Sequence, residues 1–98
     1  MVQLNALLNE HSELIIMVGG KSCTPCKLLT PLFESYKNTY PNKSFMKLDI
    51  ETDERICEKI EIEKIPTIVY YKEQECLVKE IVKNSAEMCS VMNTIINN

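Results

Sequence analysis

The sequence predicts an α/β fold in which helices cover both faces of a central, mixed, four-stranded sheet. Two patterns predict it: a strand–helix–strand unit follows an N-terminal helical segment, and the last third of the chain runs strand–strand–helix. A strand–helix–strand unit places its two strands parallel, whereas two strands joined by a short loop pair antiparallel. The sheet is therefore expected to contain both kinds of pairing.

The length and composition of the chain predict one globular domain. A chain of 98 residues suffices for one hydrophobic core, so residues 1–98 are expected to form a single domain. Hydrophobic residues make up 45% and charged residues 26%, as is typical of soluble domains. The net charge of −3 is spread over interspersed lysines and glutamates, which argues against nucleic acid or a membrane as partner. We expect a monomer.

The cysteine count and the start of the chain favour the cytoplasm. Five cysteines at irregular spacing are an odd number, whereas a secreted disulfide framework pairs an even set. The first residues lack the charged and apolar regions of a signal peptide, and no stretch reaches the roughly 20 apolar residues of a membrane span. A reducing, cytoplasmic compartment is therefore expected.

Hydrophobic periodicity places the elements of the first part of the chain. Leucines at helical spacing predict a helix within Gln3–Glu10, and the apolar run Glu13–Val18, which ends at two glycines, predicts a buried strand. From residue 23 to residue 40 apolar side chains recur every three or four positions, which predicts a long helix with one buried face. Pro31 lies inside that helix and is expected to kink it.

The middle of the chain predicts a strand, a short helix and a hairpin. Phe45–Ile50 has the pattern of a strand, and Ile56 and Ile60, four residues apart, indicate a short helix. The β-branched and aromatic run Thr67–Tyr71 and the segment Cys76–Val82 predict two further strands. The short polar break between them is typical of a hairpin.

The chain ends in a predicted amphipathic helix. Asn84 or Ser85 can cap its first turn, because a side-chain oxygen there accepts a backbone N–H that lacks an intrahelical partner. The apolar residues of this helix repeat at spacings of three and four: Met88, Val91, Met92, Ile95 and Ile96. Such a stripe is typical of a helix packed on a sheet.

The chemistry is expected at Ser22-Cys23-Thr24-Pro25-Cys26, between the first predicted strand and the long helix. At a helix N-terminus, unpaired N–H groups and the helix dipole stabilise a thiolate, so the pKa of Cys23 is expected below the free value of ~8.5. Pro25 is compatible with the first helical turn, where amides have no intrahelical partner to lose. Cys23 is therefore the predicted nucleophile.

The second cysteine of the motif is predicted to complete the reaction. Cys26 follows Cys23 by three residues, which puts both sulfurs on one helix face and within reach of a disulfide. The Cys23 thiolate would attack a substrate disulfide, and Cys26 would then displace the reduced substrate from the mixed disulfide. The predicted reaction is thiol–disulfide exchange.

Two simpler interpretations of the cysteine pair compete with this one. A zinc site would require a second pair at two-residue spacing, which the chain lacks, and the other interpretation is a pair of incidental core cysteines. The placement at a helix start favours redox chemistry over both, and we expect no metal. Cys57, Cys76 and Cys89 lie singly in apolar-periodic segments and are expected to be small core residues.

Three motifs together identify a family that the chain resembles. They are Cys23-Thr24-Pro25-Cys26-Lys27 followed by Pro31, then Lys47-Leu48-Asp49-Ile50, and finally Ile62-Glu63-Lys64-Ile65-Pro66-Thr67. They are similar to the active-site helix, a central strand and the loop beside the dithiol of the thioredoxin family. The resemblance extends from about Glu13 to the C-terminus.

The resemblance implies a thioredoxin-like fold whose first strand is either short, around Val2, or absent. It further implies that the peptide bond before Pro66 is cis and that backbone groups of Ile65 hold the substrate chain in an extended pairing. The expected substrate-binding residues flank the dithiol or belong to this loop: Ser22, Thr24, Pro25, Ile65 and Pro66.

Several residues depart from the family pattern. Ser22 stands where the family places a Trp, Thr24 where it has a Gly, and Val82 where a Gly lines the substrate groove. Met17 stands where the family buries an Asp, so Cys26 is expected to lose its proton to water or to another group. An altered docking surface is expected.

The resemblance implies a protein-disulfide reductase that is recharged by an NADPH-dependent thioredoxin reductase and carries no bound cofactor. Three alternatives stay open: a dedicated redox carrier for one partner enzyme, a thioredoxin-fold binding module with a vestigial dithiol, and a glutathione-dependent glutaredoxin. The Ile65-Pro66-Thr67 context favours thioredoxin over glutaredoxin.

Overall fold

The computed structural model describes residues 3–98, and within them the order of elements is the predicted one. The elements in chain order are α1 (Leu4–Glu10), β1 (Glu13–Gly19), α2 (Thr24–Thr39), β2 (Phe45–Asp49), α3 (Glu54–Ile60), β3 (Thr67–Lys72), β4 (Glu75–Ile81) and α4 (Ser85–Ile96). Their bounds differ from the predicted ones by one or two residues. The short strand expected around Val2 lies outside the described residues.

The four strands form one mixed sheet in the order β2-β1-β3-β4. β1 runs parallel to β2, with Gly19 paired to Asp49, and antiparallel to β3, which is antiparallel to β4. The predicted mixed sheet is therefore confirmed. Because β1 and β2 are parallel, the segments that follow Gly19 and Asp49 leave the sheet at the same end.

Helices cover both faces of the sheet, as the alternating side chains of β1 show. Leu14, Ile16 and Val18 join one buried cluster with side chains of α1 and α3. Ile15 and Met17 point to the opposite face and join a second cluster with side chains of α2 and α4. All five are at most 2% exposed, so β1 is buried on both sides and fixes the position of its C-terminal end.

Helices α2 and α4 each begin at an identifiable N-cap residue. Cys23 is the N-cap of α2, and Asn84 is the N-cap of α4, where its side-chain oxygen accepts the N–H of Glu87 at 2.9 Å. The Glu87 carboxylate in turn accepts the N–H of Lys83, the residue before the N-cap, at 2.9 Å. Pro31 lies within the continuous helix α2, and the expected kink stays a prediction.

β4 forms the outer edge of the sheet and is largely exposed. Its hairpin with β3 turns at Glu73 and Gln74, whose φ angles of 51° and 67° are those of a two-residue turn that matches the strand twist. The register shifts between Tyr70 and Tyr71, leaving Leu77 as the extra residue of a bulge. Cys76 on this strand is exposed, so its expected place in the core is wrong.

None of the helices within residues 3–98 combines the length and the hydrophobicity needed to cross a lipid bilayer.

Candidate active site

The two cysteines of the motif lie where β1 gives way to α2. Cys23 has an extended backbone, with φ −94° and ψ 105°, and its sulfur accepts the N–H of Cys26 at 3.2 Å. That N–H belongs to the first turn of α2 and has no intrahelical partner. The same side chain therefore caps the helix, and in the reduced protein a hydrogen bond of this kind would stabilise a thiolate.

Cys23 and Cys26 form a disulfide, with their Cα atoms 5.2 Å apart. The two sulfur-bearing residues differ in burial. Cys26 is only 4% exposed and belongs to the buried cluster under α2, whereas Cys23 is half-buried and packs on the margin of that cluster. Of the two, Cys23 is thus the one that a second protein can reach.

Two glycines allow the close packing around the dithiol. A β-carbon on Gly19 would lie 3.2 Å from both Cβ and Sγ of Cys26, and one on Gly20 would lie 2.9 Å from Cδ1 of Ile65. The carbonyl of Gly20 also accepts the N–H of Cys23 at 3.3 Å. From the sequence, the two glycines were expected to end a strand and, with Lys21, to replace aromatic residues that the family has upstream of the dithiol. Their packing against Cys26 and Ile65 was not predicted, and their position just before the motif was the available signal.

The loop before β3 brings Ile65 and Pro66 to the dithiol end of the sheet. The Ile65–Pro66 peptide bond is cis, as the resemblance implied. Pro66 is buried, and its carbonyl accepts the N–H of Val82 at 3.0 Å, which ties the loop to the end of β4. Ile65 is half-buried and packs against both hydrophobic clusters, so it bridges the two faces of the sheet at this end.

The other expected substrate-binding residues are accessible. Ser22, Thr24 and Pro25 are all exposed around Cys23. Val82, in contrast, is fully buried in the cluster that contains Cys26, so its side chain forms no part of an exposed groove. These three exposed side chains next to Cys23 in the sequence are small or rigid.

A groove of about 400 Å³ lies on the Cys26 side of the dithiol, beyond the ends of β1 and β2. Ionisable side chains that line it are Lys21, Lys27, Lys47, Asp49 and Asp53. Met17 is 2% exposed and packs in the same cluster as Cys26, so strand β1 places no ionisable group beneath this cysteine. Polar access to Cys26 comes from the groove instead.

The charges in this groove are partly neutralised by neighbours. Lys47 forms an ion pair with Glu34 of α2 at 3.3 Å. The N–H groups of Thr52 and Glu51 donate to the Asp49 carboxylate and, with a smaller contribution from Lys21, lower its pKa below the ordinary range. These contacts favour the ionised form of the Asp49 carboxylate at the end of β2.

The three cysteines outside the motif are not disulfide-bonded. Cys57 is 2% exposed, and burial raises the pKa of its thiol to about 11, with the nearby carboxylates Asp53 and Asp49 adding to the effect. Cys76 is exposed on β4 and Cys89 is half-buried on α4. Cys57 thus matches the predicted core thiol, whereas Cys76 does not.

Comparison with known proteins supports the resemblance seen in the motifs. A family model described as Thioredoxin matches residues 3–96. The thioredoxin of Mycoplasmoides gallisepticum is 28% identical over 79 residues, which span 81% of this chain and 79% of that protein. Thioredoxin-2 of Saccharomyces cerevisiae is 30% identical over 68 residues, or 69% of this chain and 65% of the relative.

Solved structures show the same fold. The solution structure of oxidised thioredoxin from Plasmodium falciparum superposes with a TM-score of 0.83 at 22% identity, over 93% of this chain and 88% of that one. Mitochondrial thioredoxin 3 of Saccharomyces cerevisiae, in its oxidised form, gives a TM-score of 0.81 at 25% identity, over 91% of this chain and 84% of that one. The thioredoxin-like fold expected from the sequence is therefore confirmed.

Proposed function

The chain belongs to the thioredoxin family, and we propose that it reduces protein disulfides through a dithiol formed by Cys23 and Cys26. Family and fold support a thiol–disulfide oxidoreductase. The observation that carries the finer assignment is the unequal burial of two disulfide-bonded cysteines at a helix start: Cys23 is accessible, and Cys26 lies behind it, 4% exposed.

In the reduced protein the reaction starts at Cys23. The N-terminus of α2 and the N–H of Cys26 stabilise its thiolate, which attacks one sulfur of the substrate disulfide. A Cys23–substrate disulfide forms, the substrate S–S bond breaks, and the other substrate sulfur leaves as a thiolate that takes up a proton. Substrate chains would lie against Ser22, Thr24, Pro25, Ile65 and Pro66.

Cys26 then releases the substrate. Its thiol loses a proton, and the thiolate attacks Sγ of Cys23, which forms the Cys23–Cys26 disulfide and expels the second substrate thiolate. Two electrons pass from the dithiol to the substrate. Because β1 offers no acid or base beneath Cys26, the proton leaves toward the groove that holds Lys47 and Asp49, through water.

The oxidised protein must be reduced again before the next turnover. Family membership supports an NADPH-dependent thioredoxin reductase as the electron donor, with protein disulfides as acceptors. We further propose that residues 1–98 act as one cytoplasmic, monomeric domain without a bound cofactor. A dedicated carrier for one partner enzyme uses the same chemistry and differs only in the breadth of its substrates.

Single cysteine variants test the assignment. The reduced wild type should reduce a disulfide-bonded protein such as insulin, Cys23→Ser should be inactive, and Cys26→Ser should accumulate a mixed disulfide that mass spectrometry detects on Cys23. Cys89→Ser serves as the control, because its thiol lies outside the motif. Equal, measurable activity of wild type and Cys23→Ser would overturn the proposal by assigning the reduction to another thiol. A wild type that reduces no insulin would overturn it in favour of a binding module.

A further inference from the structure

An apolar groove lies beside α3, at the end of the sheet that carries the dithiol. It measures about 420 Å³ and is lined by three apolar and three acidic side chains: Ile50, Cys57 and Ile62, and Glu51, Glu54 and Glu58. We call it the α3 groove. Among the described residues that line it none is basic, and its three glutamates are exposed.

The α3 groove continues directly from the dithiol. The carbonyl of Gly20 accepts the N–H of Cys23. Gly20 also lies close to two isoleucines: a β-carbon on it would be 2.9 Å from Cδ1 of Ile65 and 3.5 Å from Cγ2 of Ile50. Ile50 is also a wall of the groove. Gly20, Ile65 and Ile50 therefore connect the segment that carries the dithiol to the α3 groove. The parallel pairing of Gly19 with Asp49 explains this continuity, because it brings both following segments to one end of the sheet.

The segment that supplies this groove carries an excess of acidic residues, three of which line the groove itself. Residues 49–64 contain seven acidic and three basic side chains, whereas the rest of the chain contains seven acidic and eight basic ones. The net charge of −3 thus arises entirely from this one segment. A surface of this kind combines apolar contact with a field of one sign, which favours cationic partners.

We propose that the α3 groove binds the part of a substrate protein next to its disulfide, and that it selects segments carrying lysine or arginine. This inference rests on the proposed function and names the substrate class. Long basic side chains suit the groove, since their aliphatic stems pack on isoleucine while their charged ends reach carboxylates at the rim. Acidic substrate segments are disfavoured by like-charge repulsion.

Three peptides of equal length test the selectivity. Each carries one intramolecular disulfide, followed by four lysines, four glutamates or four serines. The reduced protein is mixed with each peptide, the reaction is quenched with acid, and mass spectrometry gives the rate constant. At an ionic strength of about 20 mM we expect the lysine peptide to react about tenfold faster than the glutamate peptide, and we expect about 0.5 M salt to remove most of the difference.

Two charge-matched triple variants locate the effect. Glu51→Gln/Glu54→Gln/Glu58→Gln removes the carboxylates of the α3 groove and should abolish the preference for the lysine peptide. Glu10→Gln/Glu73→Gln/Glu75→Gln removes the same net charge from exposed positions on α1 and at the hairpin turn, and it should keep the preference. Neither triple includes a cysteine or a residue of the proposed substrate loop.

The outcomes separate this inference from the proposed function. Equal rates for the lysine and glutamate peptides would overturn the inference, and so would an equal loss of preference in both triple variants. In either case, reduction of the serine peptide would still support the proposed function. Failure of the wild type to reduce the serine peptide would overturn the proposed function, and the inference with it.

Discussion

Gly19 lies directly against Cys26, because a β-carbon at Gly19 would be 3.2 Å from both Cβ and Sγ of that cysteine. The two residues belong to different elements, the last position of β1 and the first turn of α2. A β-carbon at position 19 would therefore force the start of the helix to shift relative to the end of the central strand.

Gly19→Ala is expected to lower the free energy of unfolding by about 1–3 kcal/mol, since the Cβ and disulfide-bonded sulfur of Cys26 have little room to move. Gly20→Ala is the matched control. Its new methyl group meets the Cδ1 atom of Ile65, the end of a side chain that can rotate, so a smaller loss is expected. Urea denaturation of the oxidised proteins measures both; a larger loss for Gly20→Ala would contradict this account.

The carboxylate of Glu13 stabilises the far end of the sheet at neutral pH. It accepts a hydrogen bond from the fully buried Tyr70 hydroxyl and pairs with Lys43 at 3.3 Å, and these contacts lower the pKa of Glu13 below 4.5. A carboxyl whose pKa is lowered on folding stabilises the protein above its unfolded pKa, and the contribution disappears as pH falls through the folded value.

Glu13→Gln should therefore reduce the free energy of unfolding by about 1 kcal/mol at neutral pH, with a difference that shrinks below about pH 4. Glu10→Gln provides the control, because Glu10 is exposed at the end of α1. Urea titrations at a series of pH values measure the difference. A loss of stability that stayed constant down to pH 2 would show that ionisation of Glu13 contributes nothing.

Removal of the Asn84 N-cap is expected to lower the stability of the protein. Asn84→Ala leaves the N–H of Glu87 without its partner and should destabilise the protein by about 1 kcal/mol. Ser85→Ala, one residue later inside the helix, should have almost no effect, because Asn84 and not Ser85 occupies the cap position. Thermal unfolding compares the two variants, and equal shifts in Tm would refute the assignment.

The free cysteines should react with alkylating agents at very different rates. Cys76 is exposed, whereas Cys57 is 2% exposed and burial raises its pKa to about 11. In the oxidised protein at pH 7.5, iodoacetamide is expected to modify Cys76 at least about tenfold faster than Cys57, because only an accessible thiolate reacts. Peptide mapping by mass spectrometry gives both rates, and the same comparison in urea should abolish the difference. Comparable rates in the native protein would mean that Cys57 is not protected.

Local patterns in the sequence predicted most of the fold. The apolar run that ends at Gly19 and Gly20 and the three-and-four spacing of α2 predicted the strand, the helix and the junction that holds the dithiol. Such patterns depend only on residues close in sequence. They were therefore sufficient to locate the helices and strands whose buried faces recur at a regular spacing.

What the sequence did not predict depends on distant segments. Cys76 was expected in the core because its neighbours are apolar, but β4 is an edge strand of the sheet and the Cys76 side chain is exposed on it. The packing roles of Gly19 and Gly20 depend on contacts with Cys26, Ile65 and Ile50 in other elements. Neither glycine has a positive φ, so their packing roles could not be predicted from a turn that requires glycine.

The bulge at Leu77 reduces the tendency of the exposed edge strand to pair with strands of other molecules. A flat edge strand offers its backbone N–H and C=O groups to any other strand, which is a common start of aggregation. In β4 the bulge breaks the regular ladder, and Lys79 extends over the end of α3, where its ammonium donates to the carbonyls of Ile60 and Glu61 at 3.3 Å. The same edge that exposes Leu77 and Ile81 is thereby made a poor template for strand addition.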